Sequence, residues 1–253
     1  KAILIVHIYG LPVDLSEILK IAKKNKIFII EDAAELIGQK YKGKYCGSFG
    51  DISTVSFYPN KHITTGEGGM VLTNNKKIYE TSKSLRNLCF KPKKRFVHYR
   101  LGWNYRMTNL QAAIGLAQLK RINEFINIKR QIGKTYNAGL KNIEEINLPV
   151  VRTSYAENIY WVFGIVISDK TNITSEKFMK FLSLKGVGTR PFFYPMHKQP
   201  VLRKMGLFKN EKYPISEKLY TKGFYIPSGL SLKKNQIRKV IKNIKEIINE
   251  HII

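Results

Sequence analysis

The hydrophobic pattern changes period twice within the first thirty residues. Residues 2–9, Ala-Ile-Leu-Ile-Val-His-Ile-Tyr, form a near-continuous apolar run ending at Gly10, the pattern of a strand buried on both faces. From Asp14 to Lys24 the apolar positions Leu15, Ile18, Leu19, Ile21 and Ala22 recur at helical spacing, with Asp14 placed to cap the helix. Ile27-Phe28-Ile29-Ile30 is a second buried strand. Strand, helix and strand in succession make a βαβ unit, which implies a parallel sheet with a right-handed crossover.

Short strands follow at 52–57 and 70–73, separated by a Gly-rich turn at Gly66–Gly69, and a helix starts near Asn75. Residues 91–106 are basic, aromatic and irregular, which reads as a long functional loop. From Thr108 a helical pattern runs through Leu110, Ala113, Ile114, Ala117, Leu119 and Ile122, and continues with interruptions to about Ile143. Thr108 with Gln111 three residues on predicts a capping box. Pro149 marks a boundary. Beyond it the pattern predicts a strand at Ile159–Ile167, a helix at Ser175–Lys185, a loop at Pro191–Pro200 and an amphipathic helix at 233–252. The expected organisation is α/β throughout, with residues 1–124 as the C-terminal part of a large domain and 125–253 as a small C-terminal domain.

Composition narrows the classes. The chain has 253 residues, 43% of them hydrophobic, and no apolar stretch as long as the roughly 18 residues of a membrane span. The basic, apolar start resembles a signal peptide only until Gly10-Leu11-Pro12 interrupts it, so it reads as a strand. The chain does not start with Met, and an N-terminally truncated sequence is the expectation. Cys46 and Cys89 have no metal-type spacing and are too few for a disulfide framework, which makes a reducing cytoplasm the default and leaves no metal expected. The net charge of +26 invites a nucleic-acid reading. Its lysines are scattered over helix faces and turns, however, and only Lys91–Arg95 is a compact basic run. Attraction to an anionic small substrate fits this charge at least as well as nucleic acid does.

Two charged residues carry the candidate chemistry. Asp32 follows the second strand at its carboxyl end, where open parallel sheets bind their ligands, and Glu31 points to the opposite side. Lys61 lies in a loop after the strand at 52–57 and precedes Gly66, Gly68 and Gly69, whose backbones permit close ligand approach. Taken singly, such an Asp is often a turn residue, and such a Lys a solvated charge.

Taken together the motifs resemble a known family. Glu31-Asp32-Ala33-Ala34-Glu35, Gly47-Ser48-Phe49-Gly50-Asp51, Ser56-Phe57, Asn60-Lys61 and Thr65-Gly66-Glu67-Gly68-Gly69 are similar to the signature of the DegT/DnrJ/EryC1/StrS aminotransferases. The resemblance continues through Gly102-Trp103-Asn104-Tyr105-Arg106-Met107 and Gln111-Ala112-Ala113-Ile114-Gly115 to Ile226-Pro227-Ser228-Gly229-Leu230. It implies a fold type I pyridoxal-phosphate transferase, with a mixed, mostly parallel sheet in the large domain and a smaller C-terminal α/β domain. The implied substrate is a nucleotide-linked keto sugar.

By this resemblance Lys61 would join the cofactor, pyridoxal 5′-phosphate, through a Schiff base, and Asp32 would pair with its pyridine nitrogen. Glu35 would stand beside its phenolic oxygen, where many members have Gln. Ser56 would contact its phosphate, and Asn104 would reach that phosphate from the partner subunit of a homodimer. Arg190-Pro191-Phe192-Phe193-Tyr194-Pro195-Met196-His197, with Glu35, looks most like the perosamine-forming branch, which aminates C4 of GDP-4-keto-6-deoxymannose with L-glutamate as donor. There Arg190 could meet a phosphate, and Tyr194 or His197 a sugar hydroxyl. UDP- or dTDP-linked 3- or 4-keto sugars are the nearest alternatives. A catalytically silent homologue and a basic nucleic-acid-binding module are those of another class. Related dehydratases replace the Schiff-base lysine with His, so Lys61 argues against them. Two departures are Leu36-Ile37-Gly38, bulkier than usual, and Tyr58-Pro59 before Asn60. The family also implies a preceding segment whose Gly-Thr helix N-terminus binds the cofactor phosphate.

Overall fold

The computed structural model describes residues 1–91, 94 and 96–251. Pro92, Lys93 and Arg95 of the basic run, and Ile252 at the expected end of the last helix, lie outside the described residues. The chain divides into two compact units, Lys1–Asn127 with Arg152–Trp161, and Ile128–Val151 with Val162–Ile253. The sequence division at 124/125 lies three residues from the first crossing. It has no counterpart for the segment Arg152–Trp161, which returns to the first unit.

In the first unit, β1 (Ala2–Val6), β2 (Phe28–Asp32), β5 (Ile52–Ser56) and β6 (Gly69–Leu72) form a sheet in the order β1-β2-β5-β6. The first two pairings are parallel and the last is antiparallel. A small hairpin, β3 (Lys40–Tyr41) and β4 (Lys44–Tyr45), lies between β2 and β5 in the chain. Helix α1 (Leu15–Asn25) is capped by the Asp14 carboxylate, which accepts from the Ser16 N–H at 3.1 Å. Its Leu15 and Ala22 pack with Ile5, Ile29 and Tyr41 into a core on one face of the sheet. The expectation that β1 is buried on both faces is corrected here. Leu4 and Val6, on the other face, are 61% and 43% exposed, and Phe28 beside them is 58% exposed. An aliphatic run specifies a strand without specifying what covers each side.

Helix α2 (Lys76–Arg86) starts at Asn75, whose side chain accepts from the Ile78 N–H. Helix α3 (Asn109–Leu119) has the predicted capping box between Thr108 and Gln111, and α4 (Ile122–Leu140) follows after a short break.

The second unit is built on an all-antiparallel sheet of β7 (Ile146–Asn147), β8 (Phe163–Ile167), β10 (Gly223–Ile226) and β9 (Arg190–Pro191), in that order. Helices α5 (Ser175–Leu184), α6 (Pro200–Lys204), α7 (Pro214–Lys222) and α8 (Lys234–His251) complete it. The strand predicted from Ile159 begins only at Phe163. Tyr160 has a left-handed φ of 49°, and the Ile159 N–H bonds the Gly10 carbonyl of the first unit's own chain turn. The strand β10 and helices α6 and α7 have no counterpart in the sequence reading, because each is too short to show a period. On α4, Lys129 and Tyr136 donate to the Ser228 and Pro227 carbonyls at 2.6 and 2.8 Å and fix the turn after β10.

Candidate active site

The parallel strands β2 and β5 place Asp32 and Thr54 side by side in register, and Ser56, two residues on, shares their face. Asp32 Oδ1 accepts from the Ala34 N–H at 3.0 Å and from the Thr54 hydroxyl at 3.4 Å, so its carboxyl is fixed in orientation. Ser56 Oγ accepts from the Tyr58 N–H at 3.2 Å and starts the turn that carries the lysine. Glu35 is buried, and its Oε2 accepts from the Tyr9 N–H at 2.6 Å. Lys61 is half-buried and feels both carboxyls.

The electrostatics are opposed within this group. Burial pushes the Glu35 carboxyl up to about 7, against the pull of the Tyr9 N–H and of Lys61. Burial likewise holds Lys61 below the ordinary lysine range, while Glu35 and Asp32 pull it back up. An amine of lowered basicity between two carboxyls is suited to nucleophilic and proton-transfer chemistry.

The lysine loop is held from beneath by one face of α3. Gln118 accepts from the Thr64 N–H at 3.1 Å and donates to the Thr64 carbonyl at 2.7 Å. Gln111 donates to the Glu67 carbonyl at 3.2 Å. Between them Gly115 lets the loop in close, since a Cβ there would meet Thr65 Cγ2 at 2.8 Å. Residues 111, 115 and 118 share a helix face by their spacing. This gives the Gln-Ala-Ala-Ile-Gly motif a physical role as the seat of the loop. Gln118 was not singled out from the sequence, although its position on the same face was legible.

Glu31 points away from Asp32, as expected, and organises the opposite side. Its carboxylate accepts from the Gly47, Phe49 and Gly50 N–H groups at 2.6, 2.9 and 3.1 Å, from the Ser53 hydroxyl, and bonds His7 Nε2 at 3.1 Å. Burial pushes this carboxyl up, but the bonds from His7 and the three amides together bring it down to about 2. The Gly-Ser-Phe-Gly-Asp motif is thus a loop wrapped around one carboxylate. His7, Glu31 and Cys46 bring potential metal ligands within 4.8 Å of one another. The imidazole is engaged on both nitrogens, however, and burial pushes the Cys46 thiol up to about 12, so the cluster reads as a hydrogen-bond network.

Asn104 is exposed, and its Oδ1 accepts from Arg106 Nε at 3.0 Å. Arg190, Tyr194 and His197 fall in the second unit. Arg190 is exposed in β9, and Tyr194 meets Tyr220 edge-on with centroids 4.8 Å apart. His197 is buried with its Nε2 2.9 Å from Glu217 Oε1. Trp161 is an additional site residue that the sequence reading passed over as part of a strand; its ring centroid lies 3.8 Å from Lys61 Nζ.

This fold and this lysine site define the class: residues 1–245 match the DegT/DnrJ/EryC1/StrS aminotransferase family, and the chain belongs to it. Aminotransferases of this family use pyridoxal phosphate. Among individual relatives, the chain is 40% identical over 250 residues to GDP-perosamine synthase of Escherichia coli O157:H7, covering 99% of this chain and 66% of that protein. It is 36% identical over 250 residues to GDP-perosamine synthase of Vibrio cholerae, covering 98% and 67%. Among solved structures, the Helicobacter pylori aminotransferase PseC, involved in pseudoaminic acid biosynthesis, superposes with a TM-score of 0.92 at 23% identity, over 99% of this chain and 67% of that one. The chain thus spans about two thirds of the length of these relatives.

Proposed function

We propose that this chain takes part in pyridoxal-phosphate-dependent transfer of an amino group from L-glutamate to GDP-4-keto-6-deoxymannose, at C4. The observation that carries the reading is the half-buried Lys61, lowered in basicity and flanked by Asp32 and Glu35 at the carboxyl ends of parallel strands. Its identity with two GDP-perosamine synthases supports the sugar and the nucleotide.

The residues present fit the cofactor. A neutral-prone amine suits its aldehyde, a fixed carboxyl suits its ring nitrogen, and a buried acid near neutrality suits its phenolic oxygen. When bound, the cofactor supplies an electron sink for the carbon that loses its proton. Asp32 would hold the ring nitrogen and favour its protonated form by its opposite charge. Lys61 takes the proton at Nζ and returns it, a positioned transfer worth about 10²–10⁴ in rate. Ser56, sharing the face of Asp32, serves the phosphate end. In the second unit Arg190 offers a charge to the nucleotide phosphates and Tyr194 a hydroxyl to the sugar. His197, held by Glu217, is assigned to the same substrate loop.

We assign a homodimer with Asn104 acting across it. Leu101, Trp103 and Tyr105 around Asn104 are 88%, 51% and 72% exposed, and Leu110 and Ile114 on α3 are 80% and 52% exposed. So much exposed apolar surface in one stretch marks an interaction face.

The test is to add pyridoxal phosphate and record the visible absorbance band, which Lys61→Ala abolishes. Glutamate is then supplied with GDP-, UDP- and dTDP-linked keto sugars, and the products are identified by mass spectrometry. Amination of the GDP sugar alone is the expected result. Turnover confined to other nucleotides would remove the perosamine-type assignment, and absence of the band would remove the enzyme reading.

A further inference from the structure

The unit that holds Lys61 contains an aromatic residue that the proposed chemistry does not use. Trp161 is 5% exposed, and its ring centroid lies 3.8 Å from Lys61 Nζ. Its Nε1–H donates to the Asn60 carbonyl at 2.9 Å, so the indole is tied to the residue immediately before the lysine. Tyr9 adds a second ring at 5.9 Å.

The backbone that delivers this indole is unusual. Tyr160 and Tyr9 both adopt left-handed φ angles, 49° and 58°, a conformation uncommon for bulky residues. The Asn158 side chain accepts from the Tyr160 N–H at 2.7 Å and the Ile159 N–H donates to the Gly10 carbonyl at 3.1 Å. Gly10 itself has φ 98°, and a Cβ there would meet the Trp161 backbone nitrogen at 2.6 Å. Left-handed backbone at non-glycine residues persists where the surroundings over-determine it, and such positions gather at functional sites.

The charges around Lys61 point the same way. Asp32 and Glu35 are the charged groups that act on it, and both favour its ammonium form. They accept from Ala34, Thr54 and Tyr9, and among the described residues neither forms an ion pair with Lys61. The indole is the group the ammonium rests on, and Trp is the strongest of the aromatic partners for a desolvated cation.

We propose that the indole face of Trp161 is the resting seat of the Lys61 ammonium, a positioning device that parks the lysine in the site until the cofactor arrives. It rests on the reading of Lys61 as the cofactor lysine. A π face attracts the cation without sharing its proton, so the lysine is held in place yet leaves readily. Trp161 therefore acts by placing Lys61 Nζ, and itself gives or takes no proton and forms no bond.

The test uses the cofactor-free protein, with a small amine-acylating reagent. The pH dependence of Lys61 labelling is read by mass spectrometry in wild type, Trp161→Phe and Trp161→Leu. Losing the π face lowers the apparent pKa of Lys61 by about one unit in Trp161→Leu and by less in Trp161→Phe. A mere apolar wall predicts the opposite sign, because a smaller side chain admits water and returns the lysine toward its ordinary range. An unchanged or raised value in both variants overturns the proposal, and Trp161→Phe answers the question even where Trp161→Leu does not fold. A second readout is Trp161 emission in a Trp103→Phe background. Lys61→Met changes it if the ammonium sits on the indole, and an identical spectrum counts against the seat. Neither measurement needs pyridoxal phosphate, so absence of the cofactor band would sink the proposed function while leaving this result to stand or fall separately.

Discussion

Glu35 and Glu31 lie four positions apart, and the fold moves their carboxyls in opposite directions. The difference is the number of donors each meets: Glu31 takes three backbone N–H groups, a hydroxyl and an imidazole, while Glu35 takes the Tyr9 N–H. For Glu35 the folded value of about 7 lies above the ordinary 4.5. Between those values the native state binds a proton that the unfolded chain has released. Its contribution is fully present below pH 4.5 and lost as pH rises through 7. Glu35→Gln keeps the shape and removes the titration. Urea denaturation from pH 4.5 to 8 is then expected to show wild-type stability falling relative to the variant by up to about 3 kcal/mol. Parallel profiles for the two proteins would mean that Glu35 is not buried as a neutral acid.

At the scale of elements, α3 joins two properties along its length. One face, through Gln111, Gly115 and Gln118, seats the lysine loop, while Leu110 and Ile114 are exposed to solvent. Gln118→Ala leaves the backbone N–H and carbonyl of Thr64 without their partners, which costs about 1–3 kcal/mol. Lys61 rides on the same loop, so cofactor titration followed at the absorbance band is expected to weaken in step. Loss of stability with unchanged cofactor affinity would show that the α3 seat does not position the lysine.

For the molecule as a whole, the proposed homodimer with Asn104 acting across it makes a prediction that a single subunit does not. Lys61→Ala and Asn104→Ala proteins, each inactive by itself, are expected to regain activity when mixed, unfolded and refolded together. Random pairing in a two-fold dimer leaves one intact site in half of the molecules, so roughly a quarter of wild-type activity returns. Absence of any recovery, with mixed dimers demonstrated by mass, would place Asn104 and Lys61 in the same subunit's site.

Much of this was written in local chemistry. The βαβ opening, the Asp14, Asn75 and Thr108 caps, and the long helices were legible because each depends on a period or a cap within a few residues. Lys61, Asp32 and Glu35 were legible as motif members, and the sequence also showed that Glu31 and Asp32 face opposite ways, since alternation along a strand is a local rule. What the tertiary structure alone decided is what meets across long separations. Leu4 and Val6 lie exposed because burial depends on what covers a strand. The segment Arg152–Trp161 leaves its neighbours in sequence and returns to the first unit. That return carries Trp161 to Lys61, a hundred positions away in the chain, through a left-handed turn at Tyr160 that no apolar pattern announces.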